Sequence, residues 1–270
     1  MSRNTRATAQ PLVVENVSVT FGGLKALTDV SFVVVPGTIH AVIGPNGAGK
    51  STCFNVVSGL YRTSSGTVRY GNIDLTRRPA TARARVGIGR AFQNINLSLD
   101  STVLDNVMTA RHSLTRGGFL TAALGLPRTV REQRRHEARC REICEYVGIA
   151  HLLDRWVGAL SYGDQKRTDL ARAIAMEPSL LLLDEPTAGL NEEETIQVGK
   201  LVLGAAGSLG ISILLIDHDM SLVMGLADHI TVLDFGRVIA SGAPEEVRHS
   251  PAVLDAYLGG AAVQELEAGA

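Results

Sequence analysis

Residues 44–52 read GPNGAGKST, and the fold turns on how they are understood. The first eight fit G-x-x-x-x-G-K-[ST]. They follow the apolar run Ala41–Ile43 and precede a helical run beginning near Lys50. This strand–loop–helix setting is the one in which the pattern cradles phosphate. Gly44, Gly47 and Gly49 allow successive backbone N–H groups to turn toward one anion. The helix start adds partial positive charge. Lys50 then reaches the β- and γ-phosphates, and the Ser51 hydroxyl holds Mg²⁺. The nucleotide-binding stretch is thus Gly44, Pro45, Asn46, Gly47, Ala48, Gly49, Lys50, Ser51 and Thr52.

A second apolar run, LLLLDEP at 180–186, ends in two carboxylates. A strand lying beside the first would bring that end to the same crevice. Asp184 then faces Mg²⁺ through a water ligand. Glu185 reaches further out, where it orients an attacking water and accepts its proton. His218 closes a third such run, ILLIDH, at the same edge, where it can contact the γ-phosphate. Gln93 follows a strand and loop at Gly87–Phe92; its residue type alone says little.

LSYGDQ, residues 160–165, raises a different question. Ser161 and Asp164 fit S-x-x-[DE] ahead of an apolar-periodic run, so they start a helix. Two readings stay open. Ser161 and Asp164 cap and nothing more, or the free N–H groups form a second anion site. The first loop already encloses one side of a triphosphate. A second site therefore makes sense when it faces another molecule, two chains closing each other's nucleotide head to tail.

Around these motifs the chain organises as an α/β protein. Strands are expected over Leu12–Val19, Ser31–Val35, Ile39–Ile43, Gly66–Tyr70 and Val86–Arg90. Helical patterns at Val103–Ala110 and Arg131–Val147 flank GGFLTAALGLPRT, a loop or short helical pieces. Beyond Ser161, a helix to about Met176, a strand at Leu180–Asp184, a helix at Glu192–Ala206 and a strand at Ile211–Asp217 alternate. Continuous apolar strands between helices indicate a parallel sheet covered on both faces. The expected division is a core of 11–93 and 160–258, a helical insertion at 94–159, and loose tails at 1–10 and 259–270.

Composition narrows the function. The 270 residues are 45% hydrophobic with a net charge of -1, which gives no electrostatic footprint for nucleic acid. The basic run RTVREQRRHEARCRE reads as a solvated helix face. No apolar run approaches membrane-spanning length, and MSRNTRATAQ lacks a secretory segment. Cys53, Cys140 and Cys144 suggest reduced thiols rather than a disulfide framework. The chain reads as cytosolic.

The ordered set GPNGAGKST, Gln93, LSYGDQ, LLLLDEP, AGLN (188–191) and His218 resembles the ATP-binding cassette ATPases over about residues 11–258. FGGLKAL (21–27), GIGRAFQ (87–93), AGLN, DHDM (217–220), AYLGG (256–260) and the long Gly117–Thr129 loop resemble one subgroup. It is the ATP-binding subunits of branched-chain amino acid importers. Importers of amides and urea share much of this pattern, and remain the alternative.

The resemblance implies a mainly parallel core sheet, an antiparallel β subdomain and an inserted helical subdomain. It implies ATP and Mg²⁺, and Phe21 stacking on adenine. Gln93 becomes a lever beside the Mg²⁺ site, and Ser161 and Gly163 contact γ-phosphate across a dimer. Leu190 and Asn191 lie between the two sites, and His218 holds the γ-phosphate. Lys50, Gln93, Glu185 and His218 form the catalytic set, and Ser51, Gln93 and Asp184 the metal set. Partners implied are a second ATPase subunit, two permease subunits and an external solute-binding protein, with the chain peripheral on the inner membrane face.

Two departures stand out. Asp164 replaces a neutral glutamine, and a carboxylate aimed at phosphate would repel it; it is expected to turn back to its own helix start. Asp217 stands where many relatives carry glutamate. Two other classes fit parts of the sequence: a soluble cassette ATPase, or a small-molecule phosphotransferase, which would not need LSYGDQ.

Overall fold

A computed structural model describes residues 9–92, 95–114, 127–217 and 219–257. The chain opens with a hairpin, β1 (Leu12–Phe21) and β2 (Leu24–Val34), turning at Gly22-Gly23, both with positive φ. Loop β2-to-β3 leads to β3 (Ile39–Ile43), and the phosphate-loop stretch then enters α1 (Lys50–Ser58). β4 (Ser65–Tyr70) and the short β5 (Ile73–Asp74) return to the hairpin, giving an antiparallel sheet in the order β2-β1-β4-β5.

After α2 (Ala80–Arg85) and β6 (Ile88–Phe92), the path leaves the sheets for α3 (Val103–Ala110) and α4 (Pro127–Tyr146). It returns through α5 (Tyr162–Ala175), β7 (Leu180–Asp184), α6 (Glu192–Gly207), β8 (Ser212–Ile216) and α7 (Met220–Leu226). β9 (His229–Asp234), β10 (Arg237–Gly242) and α8 (Pro244–Arg248) follow. The second sheet runs β10-β9-β3-β8-β7-β6, parallel except for the β10 edge.

Every residue of β3, β7 and β8 is buried. The side chains of a strand alternate between faces, so Leu180 and Leu182 join one core and Leu181 and Leu183 the other. The first core includes Phe54, Val57 and the inner residues of the antiparallel sheet. The second takes Val107, Cys140, Cys144, Ile174 and Val202 from α3 to α6. A strand buried on both faces cannot alternate in polarity, which is why β7 reads as four leucines.

Register places the functional edge. Val42 pairs with Ile216, Ile216 with Asp184, and Asp184 with Phe92. The carboxyl ends of β3, β8, β7 and β6 are therefore level at one edge of the sheet.

Some expectations shift. The strand expected at Ser31–Val35 is the second half of β2, which starts at Leu24, ends at Val34 and pairs with β1 along its length. The one expected at Val86–Arg90 slides two residues, because Gly87 at positive φ breaks the strand's start. α4 begins four residues before the expected helix, and residues 115–126 lie outside the described residues. The β9–β10 hairpin has no counterpart among the expected strands. Its turn places Phe235 and Gly236 at positive φ, where asparagine or glycine is the usual first residue. Among the described residues, no helix is long and apolar enough to cross a membrane.

Candidate nucleotide site

Three glycines shape the loop between β3 and α1. Gly44, Gly47 and Gly49 have φ of 151°, 82° and 100°. A Cβ added at Gly44 would lie 2.1 Å from the Leu233 carbonyl oxygen, and one at Gly49 would lie 2.8 Å from that of Ala26. At Gly47 there is room, and backbone conformation alone favours glycine. Behind the loop, the β9–β10 turn is a wedge: Gly236 N–H donates to the Ala48 oxygen at 3.0 Å, and Thr28 N–H donates to the Gly236 oxygen at 2.8 Å. The antiparallel sheet thereby braces the loop.

No side chain caps α1 at Gly49, which leaves the first-turn N–H groups for an anion. Pro45 is half-buried, Asn46 and Gly47 are exposed, and Ala48 is buried. Lys50 is buried, with Nζ donating to the Gly44 and Pro45 oxygens at 2.7 and 2.8 Å. An ammonium has three donors, so one is left for a phosphate oxygen. Burial pulls the Lys50 pKa down, and Glu185 opposes this. Ser51 is exposed and Thr52 half-buried at the helix start.

Asp184 ends β7, almost fully buried. Burial raises its carboxyl to about 6, Arg90 works against that, and Glu185 and Asp217 add to it. Arg90 approaches no nearer than 3.6 Å, and Asp184 Oδ2 has no hydrogen-bond partner among the described residues. A buried carboxylate oxygen without a donor, at the same sheet edge as a phosphate loop with a serine hydroxyl at its helix start, fits a divalent cation. Glu185 follows at φ 49°, a costly region for a side-chain-bearing residue, with its N–H donating to the Ile216 oxygen at 2.7 Å.

Asp217, fully buried after β8, accepts from Thr187 Oγ1 at 2.9 Å and from Asp219 N–H at 3.0 Å. The residue left without explanation in the sequence thus ties the end of β8 to the turn after Glu185. Gln93 and His218 lie outside the described residues.

Ser161 caps α5. Its Oγ accepts from Asp164 N–H at 3.2 Å and donates to Asp164 Oδ2 at 2.8 Å, while Arg167 donates to Asp164 Oδ1 at 2.7 Å. Asp164 turns back to its own helix start, as expected. Ser161 and Tyr162 are exposed. Gly163 is buried, and a Cβ there would lie 2.2 Å from Glu194 Oε1. Asn191 caps α6 in a reciprocal pair with Glu194, and Leu190 packs on the helical core. Phe21, 45% exposed at the end of β1, meets the Tyr61 ring edge-on at 5.2 Å.

The structure therefore gathers residues 44–52, Asp184 and Glu185 at one sheet edge, and sets Gly163 against Glu194 while Ser161 stays exposed at the tip of α5. Sequence reasoning missed Arg90, Tyr61 and Lys166. Lys166 carried one signal: it stands three residues after Gly163 and four before Leu170, a helical spacing that shares one face, and that face is buried in the structure.

A family model described as "ABC transporter" matches residues 27–188, and one described as "Branched-chain amino acid ATP-binding cassette transporter" matches residues 237–263. The Escherichia coli (strain K12) protein named "High-affinity branched-chain amino acid transport ATP-binding protein LivG" is 39% identical over 93% of this chain and 99% of its own. BraF of Pseudomonas aeruginosa, named for the same activity, is 37% identical over 92% and 97%. The crystal structure of the ADP conformation of MJ1267, an ATP-binding cassette of an ABC transporter, superposes with a TM-score of 0.80 at 31% identity, covering 93% of this chain and all of that one. The glycine loop, the acidic strand end and the serine-capped helix occur here along one chain that these relatives match almost end to end: the chain belongs to the ATP-binding cassette transporter family.

Proposed function

We propose that this chain is the ATP-hydrolysing subunit of an importer of branched-chain amino acids. The observation that supports the reading is the level edge of β3, β8 and β7: β8 lies between the other two strands, so β7 is one strand removed from β3 rather than beside it, and the 44–52 loop and the Asp184–Glu185 pair leave the same edge of the sheet. The match of residues 237–263 to the branched-chain subgroup supports the substrate class.

ATP is the substrate. The N–H groups of the 44–49 loop and of the α1 start hold its phosphates, and Lys50 offers its remaining donor to the β/γ oxygens. Phe21 stacks on adenine. Ser51, Gln93 and Asp184 would hold Mg²⁺, which when bound adds positive charge against the phosphate oxygens. Glu185 orients the attacking water and takes its proton, and His218 steadies the γ-phosphate. Ser161 and Gly163 of a second ATPase subunit complete the site from across a dimer.

Closure must be favoured by bound ATP over the open arrangement, or ATP could not drive it. Residues 94–159 pass closure and opening to two permease subunits, and an external binding protein delivers the solute. The chain works at the inner face of the cell membrane. Core and helical regions divide at about residues 93 and 160.

Glu185→Gln should retain ATP binding, lose hydrolysis and accumulate an ATP-bound dimer on size-exclusion chromatography. Ser161→Arg should reduce hydrolysis with little change in the nucleotide affinity of the monomer. Wild-type turnover in the first variant would remove Glu185 from its role. For the substrate, uptake of labelled leucine and of labelled urea is compared in cells with and without the gene. A loss confined to urea would overturn the amino acid assignment.

A further inference from the structure

Lys166 is 3% exposed on the first turns of α5, five residues beyond the Ser161 cap. Its ammonium donates to three backbone carbonyl oxygens: Glu185 at 3.0 Å, Pro186 at 3.1 Å and Ala188 at 2.7 Å. All three donors of a lysine are thereby used on one turn, the turn that carries Glu185. Burial pulls the Lys166 pKa down, while Asp217, Glu185 and Asp169 hold it up.

The contact is wider than one side chain. The Tyr162 ring lies over the ammonium, 5.4 Å from nitrogen to ring centre. Its edge would be 3.0 Å from a Cβ at Gly189. Gly163 is pressed on Glu194 of the α6 capping pair. Asp217 holds the same turn as well, through Thr187. The inward face of the α5 tip therefore grips residues 185–194, while Ser161 and Tyr162 keep an outward face exposed.

We propose that Lys166 is the positioning residue through which one nucleotide site of the dimer sets the geometry of the other. The inference rests on the dimer reading. In that arrangement the Ser161 tip of a protomer meets the nucleotide held by its partner, while Glu185 of that protomer serves its own. Lys166 joins the two within one chain. When the tip is drawn onto the partner's nucleotide, the three carbonyls move with it. Glu185, already in a sparsely allowed backbone conformation, is carried into place. Without the ammonium, the turn loses three hydrogen bonds that hold it to the tip, and the two sites become independent.

The full chain is purified as wild type, Lys166→Met, Lys166→Gln and Lys166→Arg. ATPase rate is followed against ATP concentration, and fluorescent-ATP binding is measured at dilution. Lys166→Met should keep monomer affinity within about twofold and lower kcat on the order of 10- to 100-fold. Its dependence on ATP should lose its sigmoid form, with a Hill coefficient of about 1. Lys166→Arg, which keeps charge and donors, should restore the sigmoid form.

If Lys166→Met fails to fold, Lys166→Gln makes the same test with a smaller fall in rate. Sigmoid kinetics retained in the Met or Gln variant, or kinetics already hyperbolic in the wild type, would overturn the inference. A fall in rate and in monomer affinity together would do so as well, because it marks a general structural role. The dimer reading fails separately, when Glu185→Gln forms no ATP-dependent dimer.

Discussion

Acidification from pH 7 to pH 5 should destabilise this protein through one histidine. His40 lies in β3, the strand that delivers the phosphate loop, and is 1% exposed. Its Nε2 sits 3.0 Å from Thr231 Oγ1, and the Phe32 and His229 rings each stand 5.1 Å away. Burial lowers its pKa from 6.5 to about 3, with His229 adding to this and the Val33 carbonyl opposing it. The folded value is depressed. The stability this residue contributes is therefore complete above pH 6.5 and lost as pH falls from there toward 3.

At pH 5 the unfolded chain binds a proton at His40 and the folded chain does not. With an unfolded pKa of 6.5, the difference between pH 7 and pH 5 is about 2 kcal/mol. For a domain of this size that is about 4–8 °C in Tm. His40→Gln keeps a partner for Thr231 but does not titrate. Thermal unfolding of both proteins at pH 7 and pH 5 isolates the effect as a difference of differences. Other groups cancel in it. If the two Tm values fall by the same amount on acidification, His40 is not held neutral and the reasoning is wrong.

Gly44→Ala would place a methyl group 2.1 Å from the Leu233 oxygen, at φ 151°. It should cost about 1–3 kcal/mol in denaturant unfolding and weaken ATP binding; unchanged stability would mean the loop yields freely. Phe21→Ala should raise the KM for ATP about tenfold with kcat unchanged, since base stacking is lost without touching the phosphates. Steady-state kinetics decide it, and an unaltered KM would remove Phe21 from the adenine site.

Much of the site was legible because its requirements are local. The 44–52 loop needs glycines at set spacings, a lysine one residue past the last, and a strand before it. Those demands fall on consecutive residues. Asp184 and Glu185 were legible for a related reason: a strand buried on both faces must be apolar throughout, so two acids at its end stand out. The turning back of Asp164 followed from the sign of its charge. The β9–β10 hairpin was illegible because Phe235 occupies a turn position that carries no local signature.

The sequence by itself determined which backbone turns can bind phosphate, where the charged groups stand on each strand end, and which family the whole belongs to. Only the tertiary structure decided the rest. Asp217 reaches Thr187, thirty residues away in the chain, and Lys166 reaches Glu185, nineteen away. Spacing along a helix or strand says nothing about such pairs. Their partners are backbone carbonyls and a hydroxyl, groups that become worth satisfying only once packing has removed them from water.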